Sequence, residues 1–539
     1  MGVAVTQRGP VMRAVQAPPE ALRRLAYADP QAFPVLLDSS ATGPLGRYSI
    51  LAAYPQGALW LDSHGRLHAE GSVRLGSAVA VAGEGQDRAA PAPAGFLSTL
   101  QALWRSEAGA VAVAEADAAV ETDADAGADA GADATIGPAA DAGAAQGGAG
   151  AAQGGAGAAG PFQGGWMVFL GYEIAGEIEP QLRGWLPAPH GAAESAPMAL
   201  ALRIPAAVLF DHVTGRAWLV AEAGREQLIA DLQVALAGVG RAADIAGMQP
   251  GSAQLPGPLQ LTEEPPERYR ACIERALEHI RAGDIYQANL SRAWRGQLAA
   301  RLSSGALAAS LYERLRTANP APFAALAHHR GWRLLCSSPE RLVRVAGGWV
   351  DTRPIAGTRP RSRRLGQDAR EIAALIANPK ERAEHVMLVD LERNDLGRIC
   401  RPGSVRADPM MMTESYAHVH HIVSNVSGRL RAGMTPLEVL RAVFPGGTIT
   451  GCPKFRCMQI IAELEAEARG AYTGAIGFIN HDGSMDFNIL IRSLTLADGQ
   501  LEFRAGAGIV ADSDWRRELA ETRAKARGLL AALQLPAPA

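Results

Sequence analysis

The sequence predicts an α+β protein. Strand-like and helix-like stretches alternate irregularly along its 539 residues, without the strict strand–helix–strand order of a doubly wound parallel sheet. Alternating or continuous apolar runs bounded by turn residues occur in both halves, and segments with apolar side chains at helical spacing lie between them. The length suits two to four ordinary domains or one large two-layer domain.

Taken in order, FPVLLDSS (33–40) and GRYSILAAYP (46–55) read as strands separated by turn signals. Residues 106–160 repeat short Ala/Gly/Asp units with almost no large apolar side chain. Such a segment buries too little surface to offset the entropy of ordering, so a disordered insertion is expected. GGWMVFLGYEI (164–174) reads as a strand, and 204–223 as a hairpin turning at HVTG. A Gly/Pro/Gln-rich linker spans 240–264. Tyr269, Ile273, Ala276, Leu277 and Ile280 then recur at helical spacing, with Gly283 as the stop. DIYQANLSR, WRLLCSSPERLVRV and GWVDTRPIAGTRPR read as strand–loop units. A helix over 369–377 breaks at Asn378-Pro379, and a second begins near Lys380. Strand character returns over 417–430, GAIGFIN and MDFNILIRSLTL, and RRELAETRAKARGLLAAL closes the chain as a helix. These features divide the chain into an N-terminal lobe (1–105 and 161–245), the insertion (106–160) and a C-terminal region (263–533).

A net charge of −3 gives no electrostatic reason to expect nucleic acid or a membrane surface as partner. No apolar run is long enough to span a bilayer, and the N-terminus lacks a signal-peptide core. Five cysteines form no disulfide framework and read as reduced thiols, so a cytoplasmic location is expected. Cys452 and Cys457 have no second ligand pair that would complete a zinc site. Lysine is scarce: only Lys380, Lys454 and Lys525 occur.

Two carboxylates, Glu384 and Glu521, lie far apart in sequence on predicted helices. If they meet, they form a hard oxygen site of the kind Mg2+ takes, with one or two carboxylates plus oxygens of an anionic substrate. A lone helix glutamate is far more often a solvated charge. For Glu384 that reading is weakened by Glu381 one turn away, the apolar run VMLVDL behind it and the charges of RND (393–395). For Glu521 it is stronger, because Lys525 at i+4 can pair with it. Three glycine-rich segments, PIAGTRPR (354–361), FPGGTITGCPK (444–454) and RAGAGIV (504–510), place backbone N–H groups where an anion could approach. None is a Walker or dinucleotide motif, and each alone is as well explained as a turn. With Tyr472 and Arg492 nearby in sequence, together they suggest a carboxylate pocket. His418 and His420 fall on one strand face and His421 on the other. A single histidine acting as acid or base is simpler than a metal pair, and a buried structural role is the bland alternative. No nucleophile elbow is present, including the cysteine elbow of a glutamine-hydrolysing module.

GDIYQANLSR (283–292), ANPAPFAAL (318–326), CSSPERLV (336–343), PIAGTRPR, EHVMLVDLERNDLGRIC (384–400), HHIVSNV (420–426), FPGGTITGCPKFRCMQIIAELE (444–465), YTGAIGF (472–478), IRSL (491–494) and AGAGIVADSD (505–514) resemble the chorismate-utilising enzyme family. The match covers roughly 265–527, and VLLDSS, GRYSIL and GGWMVFLGYE resemble the N-terminal lobe of its amino-transferring members. The resemblance implies a two-lobed α+β sandwich of two antiparallel sheets with helices outside. IYQANL, NPAPF, the double glycine of FPGGTITG and the aspartate of ADSD resemble the aminodeoxychorismate synthase branch more than the anthranilate synthase branch. The implied activity is that of a Mg2+-dependent transferase of folate biosynthesis that aminates chorismate at the 4-position. Its ammonia would come from a separate glutamine amidotransferase subunit. Isochorismate-forming relatives place a lysine base where Gln287 stands, so ammonia rather than water is the implied nucleophile. One departure is Ala356, where many members of the 4-aminating branch carry lysine; alanine is usual in the anthranilate branch.

By the same resemblance, Glu384 and Glu521 hold Mg2+ with Glu381 in support. Glu340 is the general acid, with His421 and Thr448 beside it. Gln287, Tyr472, Arg492, Gly506, Ala507, Gly508 and Lys525 grip the substrate, and Gly357 and Thr358 line the opposite wall. Asp38, Ser39, Pro322 and Phe323 fall where the family binds tryptophan. Anthranilate synthesis is the main alternative activity, and a non-catalytic chorismate- or tryptophan-binding regulator is a third.

Overall fold

The computed structural model describes residues 9–41, 45–74, 95–120, 160–241, 259–298, 305–361, 365–415 and 419–535. Two large sheets dominate. The first runs from Val11–Val15 through Arg216–Ala221, Ala206–Asp211, Tyr48–Ala53, Val35–Asp38, Phe323–His329, Trp332–Ser338, Ser493–Ala497, Gln500–Ile509 and Gln287–Gln297 to Gln260–Glu263. The second runs from Arg406–Ala407 through Val426–Arg429, Trp349–Thr352, Arg341–Ala346, Met485–Ile489, Ala475–Asn480, Gly165–Leu170, Ala199–Ile204 and Gly57–Leu61 to Leu67–Gly71. A small third sheet joins Ile355–Pro360, Val419–Val423 and Met412–Ser415. Neighbouring strands are antiparallel in all three. The fold is therefore α+β, as the irregular order of elements predicts.

Strand alternation builds the sandwich. Met167, Phe169, Leu200 and Leu202 of the second sheet point inward, onto Ile50, Ala325, Ala327 and Leu334 of the first. Their neighbours Val168, Leu170 and Ala201 point outward, onto the helices Phe96–Val120, Pro379–Gly397 and Pro436–Val443. On the outer face of the first sheet, Leu36, Leu326 and Leu335 pack under Pro19–Ala28, Gly305–Ala318 and Trp515–Ala532. Successive side chains on a strand face opposite ways, so each sheet buries both faces.

The two sequence halves are not separable bodies. Val35–Asp38 pairs with Phe323–His329, and Gly165–Leu170 pairs with Ala475–Asn480, so both sheets cross the junction as continuous ladders. Most of the predicted insertion lies outside the described residues. Its first residues extend the Phe96–Val120 helix, and Glu107 accepts hydrogen bonds from Trp166 Nε1 and Arg203 Nε. Much of the predicted linker is likewise outside them, and Gln260–Glu263 at its end is an edge strand. The hairpin over 204–223 forms as read, pairing Ala206–Asp211 with Arg216–Ala221. The end of GGWMVFLGYEI is not strand: Tyr172–Ile174 is a 3-10 turn.

Candidate active site

The chain passes from one sheet to the other at two adjacent places, and both carry chemistry. Pro339 and Glu340 link Trp332–Ser338 of the first sheet to Arg341–Ala346 of the second. Leu490 to Arg492 link Met485–Ile489 of the second to Ser493–Ala497 of the first. The crossings are stitched together: Ile489 N–H donates to the Glu340 carbonyl at 3.1 Å, and Ser337 N–H to the Arg492 carbonyl at 3.2 Å. Arg492 adopts φ +52° and Thr473, beside Tyr472, adopts φ +61°. Left-handed backbone costs a side-chain-bearing residue free energy and tends to collect at functional sites.

Glu340 is buried, and desolvation drives its carboxyl up to about 7. The Thr448 hydroxyl, the Ile355 N–H and Lys525 pull the other way, while Glu392 adds a like charge. A carboxylic acid that keeps its proton near neutrality is suited to general acid work. Arg492 is half-buried, and its hydrogen bond to Asn319 Oδ1 is long at 3.5 Å. Burial lowers the Arg492 pKa and nearby Glu340 raises it. His421 is buried on the small third sheet and its Nδ1 donates to the Gly357 carbonyl at 3.3 Å. Burial, then Arg492, lower its pKa to about 4, which makes it a neutral imidazole at physiological pH. Gly357 is a bulge in the Ile355–Pro360 strand at φ +65°. A Cβ there would sit 2.8 Å from Glu381 Oε2, so the wall accepts only glycine. Thr358 pairs with His421 through the backbone, and its side chain is outside the described ones.

On the opposite side, the Gln287–Gln297 and Gln500–Ile509 strands pair, bringing Asn289 opposite Gly508. Gln287 Nε2 donates to Glu384 Oε1 at 2.9 Å. A Cβ on Gly508 would run into the Gln287 amide and lie 3.5 Å from Glu384 Oε1; one on Gly506 would lie 2.6 Å from both Asn289 Oδ1 and Tyr472 Oη. These glycines, with buried Ala507 between them, let the strand edge form a floor close to the polar groups. Burial first holds the Tyr472 phenol protonated, pushing it to about 12, so its hydroxyl is a hydrogen-bond donor. Gln287 Oε1 and Asn289 Oδ1 are buried with no hydrogen-bond partner among the described residues.

Glu384 is raised by burial, then by the like charges of Glu381 and Glu521, and is lowered by Gln287 and Lys525. Three carboxylates therefore share one field, which is the electrostatic signature of a place that favours a cation. Glu521 pairs with Lys525 Nζ at 2.7 Å, and both side chains are about half exposed (48% and 42%). Lys525 Nζ also donates to the Gly506 carbonyl at 2.9 Å. Among the described residues no group of three or more acidic, His or Cys side chains is already gathered into a metal cage. The donor set still fits Mg2+, which takes one or two carboxylates and completes its octahedron with water and substrate oxygens. Glu384, Glu381 and Glu521 are the residues that could hold it.

His420 is excluded as a metal ligand by its own partners: its Nε2 meets Asp368 Oδ1 at 2.9 Å and its Nδ1 meets Ser415 Oγ at 2.7 Å. His418 lies outside the described residues. The four residues of the tryptophan expectation do gather in one place. Ser39 Oγ donates to Pro322 O, and the Phe323–His329 strand pairs with Val35–Asp38. The Asp38 carboxylate there is already bound by Arg316 Nε at 2.6 Å and by Ser49 Oγ at 2.8 Å. Sequence reading missed Asn289. Asn289 was discoverable, because it lies two residues beyond Gln287 on the same strand face.

The sequence profile of the chorismate binding enzymes matches residues 100–531. The chain belongs to the chorismate-binding enzyme family. Relatives within it carry two different names. Anthranilate synthase component 1 of Streptomyces coelicolor is 42% identical over 390 residues, covering 69% of this chain and 73% of the relative. Aminodeoxychorismate synthase component 1 of Bacillus subtilis is 45% identical over 267 residues, covering 50% of this chain and 56% of the relative. The crystal structure of anthranilate synthase component I from Streptococcus pneumoniae superposes with a TM-score of 0.64 at 28% identity, covering 90% of this chain and 93% of that one. This member of the chorismate-binding enzymes thus has the sandwich that its motifs imply.

Proposed function

We propose that this chain is the synthase component that aminates chorismate at the 4-position, with ammonia supplied by a separate glutamine amidotransferase subunit. The observation that carries the choice of nucleophile is Gln287. Its amide occupies the strand position facing Glu384, where a lysine would serve to deprotonate water. An amide cannot take a proton near neutral pH, whereas ammonia attacks without prior deprotonation.

In this reading Arg492, the Tyr472 hydroxyl and the backbone of Gly506 to Gly508 hold the two carboxylates of chorismate. Bound Mg2+, on Glu384 and Glu521 with Glu381 behind, would neutralise the ring carboxylate and draw electron density from the ring. The Glu340 carboxyl, with Thr448 beside it, gives its proton to the departing hydroxyl, which leaves as water with the C–O bonding pair. The Glu340 carboxylate then takes a proton from the attacking nitrogen, so the acid is restored. Neutral His421 orients the leaving oxygen and supplies no charge of its own. Gly357 and Thr358 close the wall. Folate precursor synthesis is the pathway this product would enter.

Anthranilate synthesis is the second reading, favoured by the buried Ala356 in place of the lysine common in the 4-aminating branch. The purified chain, given chorismate, ammonium and Mg2+, decides between them. Fluorescent anthranilate would overturn the first reading. A product that an added 4-amino-4-deoxychorismate lyase converts to para-aminobenzoate supports it.

A further inference from the structure

The Gln287–Gln297 strand, which carries Gln287 and Asn289 into the site, has an interrupted edge. One side pairs with Gln500–Ile509. The other pairs with Gly451–Cys452 at Gln287 and Ala288, and with Gln260–Glu263 from Trp294 on. Among the described residues no strand fills the gap at Asn289 to Ser291. Buried backbone N–H and C=O groups need partners, and here a side-chain pair supplies them. Arg469 Nη2 donates to the Asn289 carbonyl at 2.6 Å, and the Ser291 N–H donates to Glu465 Oε1 at 2.7 Å. Arg469 and Glu465 are joined to each other by two hydrogen bonds, at 2.9 and 2.6 Å, and their side chains are only 1% and 2% exposed. This ion pair stands where a strand would.

The guanidinium is fully used. Its Nη1 donates to the Ile449 carbonyl at 3.2 Å and to Thr473 Oγ1 at 3.4 Å, so all five N–H groups have acceptors. Each contact outside the ion pair is at, or one residue from, a group of the candidate site: Asn289 itself, Thr448 before Ile449, and Tyr472 before Thr473, whose backbone is left-handed at φ +61°. The guanidinium carbon also lies 5.6 Å from the centre of the Tyr472 ring, and the Arg469 carbonyl accepts the Tyr472 N–H at 3.1 Å. We infer that Arg469 is a positioning residue of the chorismate pocket: locked by Glu465, it fixes Tyr472, Asn289 and the Thr448 loop relative to one another. Two charges taken out of water regain little net stability by pairing, so the fold alone gives small reason to bury them. Five donors in one rigid plane do hold three segments in register, which a lysine cannot.

This inference rests on the reading that Tyr472 grips chorismate, and its test has one arm that does not. In the first arm, chorismate is titrated calorimetrically, with Mg2+ and without ammonium, into wild type, Arg469→Lys and Glu465→Gln. Kd should rise about tenfold or more in Arg469→Lys at near-full binding stoichiometry, and by a smaller factor in Glu465→Gln, which keeps an acceptor for Ser291. A role in folding alone would lower the stoichiometry and leave Kd unchanged, and that result overturns the inference. In the second arm, hydrogen exchange of the ligand-free proteins is followed by mass spectrometry. Exchange in 288–292, 447–451 and 470–475 should quicken at least about tenfold in either variant, while the Ala199–Ile204 strand keeps its wild-type protection. Unchanged exchange in those three segments, or an equal loss of protection across both sheets, overturns the inference. Glu465→Gln carries both arms if Arg469→Lys does not fold. If wild type binds no chorismate, the functional reading fails, and the exchange arm still decides the role of Arg469.

Discussion

Replacing Glu340 with glutamine should stabilise the protein at alkaline pH while removing its activity. Glu340 is only 6% exposed, and burial raises its carboxyl from the ordinary 4.5 to about 7. Because the folded value lies above the unfolded one, its contribution to stability is fully present below about pH 4.5. That contribution is lost as the pH rises through about 7, where a charge must be kept in a dry site. At about 1.4 kcal/mol per pH unit, the rise from 4.5 to about 7 amounts to roughly 3 kcal/mol. Glutamine never ionises and nearly matches the side chain in size. Ligand-free Glu340→Gln should therefore exceed wild type by about 2–3 kcal/mol at pH 8 and by under about 1 kcal/mol at pH 5. Denaturant unfolding followed by tryptophan fluorescence at the two pH values measures this. Chorismate turnover should fall by about 10²–10⁴-fold. A stability difference that is absent, or the same at both pH values, refutes the picture of a desolvated acid.

Arg492→Gln should raise KM for chorismate by about 10–100-fold, the worth of a charge-assisted hydrogen bond in a partly buried site, without destabilising the fold; unchanged KM in steady-state kinetics would remove Arg492 from the carboxylate pocket. Gly506→Ala places a methyl 2.6 Å from Asn289 Oδ1 and Tyr472 Oη and 2.7 Å from the Leu290 carbonyl, so overpacking should cost about 1–3 kcal/mol in unfolding experiments and abolish chorismate binding by calorimetry. EDTA should abolish turnover and Mg2+ restore it, with Glu384→Gln requiring at least about tenfold more Mg2+; full activity in EDTA would end the metal proposal. Ala356→Lys should retain 4-amination, and a trapped covalent adduct or lost turnover, seen by mass spectrometry and product assay, would show a pocket not built for lysine.

Much of this protein was legible from local signals. The hairpin at 204–223, the break at Asn378-Pro379 and the helix ending before Gly283 follow from turn chemistry and proline geometry, which act over a few residues. Tyr172–Ile174 was misread as strand because a short apolar run looks the same in a strand and in a buried turn. The glycine-rich segments marked close backbone approach, since a missing Cβ is visible in any sequence. What each approaches is not: Gly357 meets Glu381, Gly447 meets Leu391 and Glu392, and Gly508 meets Gln287.

By itself the sequence determined most element types and the α+β class, because periodicity and side-chain chemistry are properties of neighbouring residues; the antiparallel sandwich and the role of Glu340 came from the family resemblance of its motifs. Only the tertiary structure decided that Glu340 and Arg492 stand together where the chain crosses between sheets and that His421 is buried and neutral. Those facts depend on desolvation and on charges brought close from segments distant in sequence, and burial sets their sign.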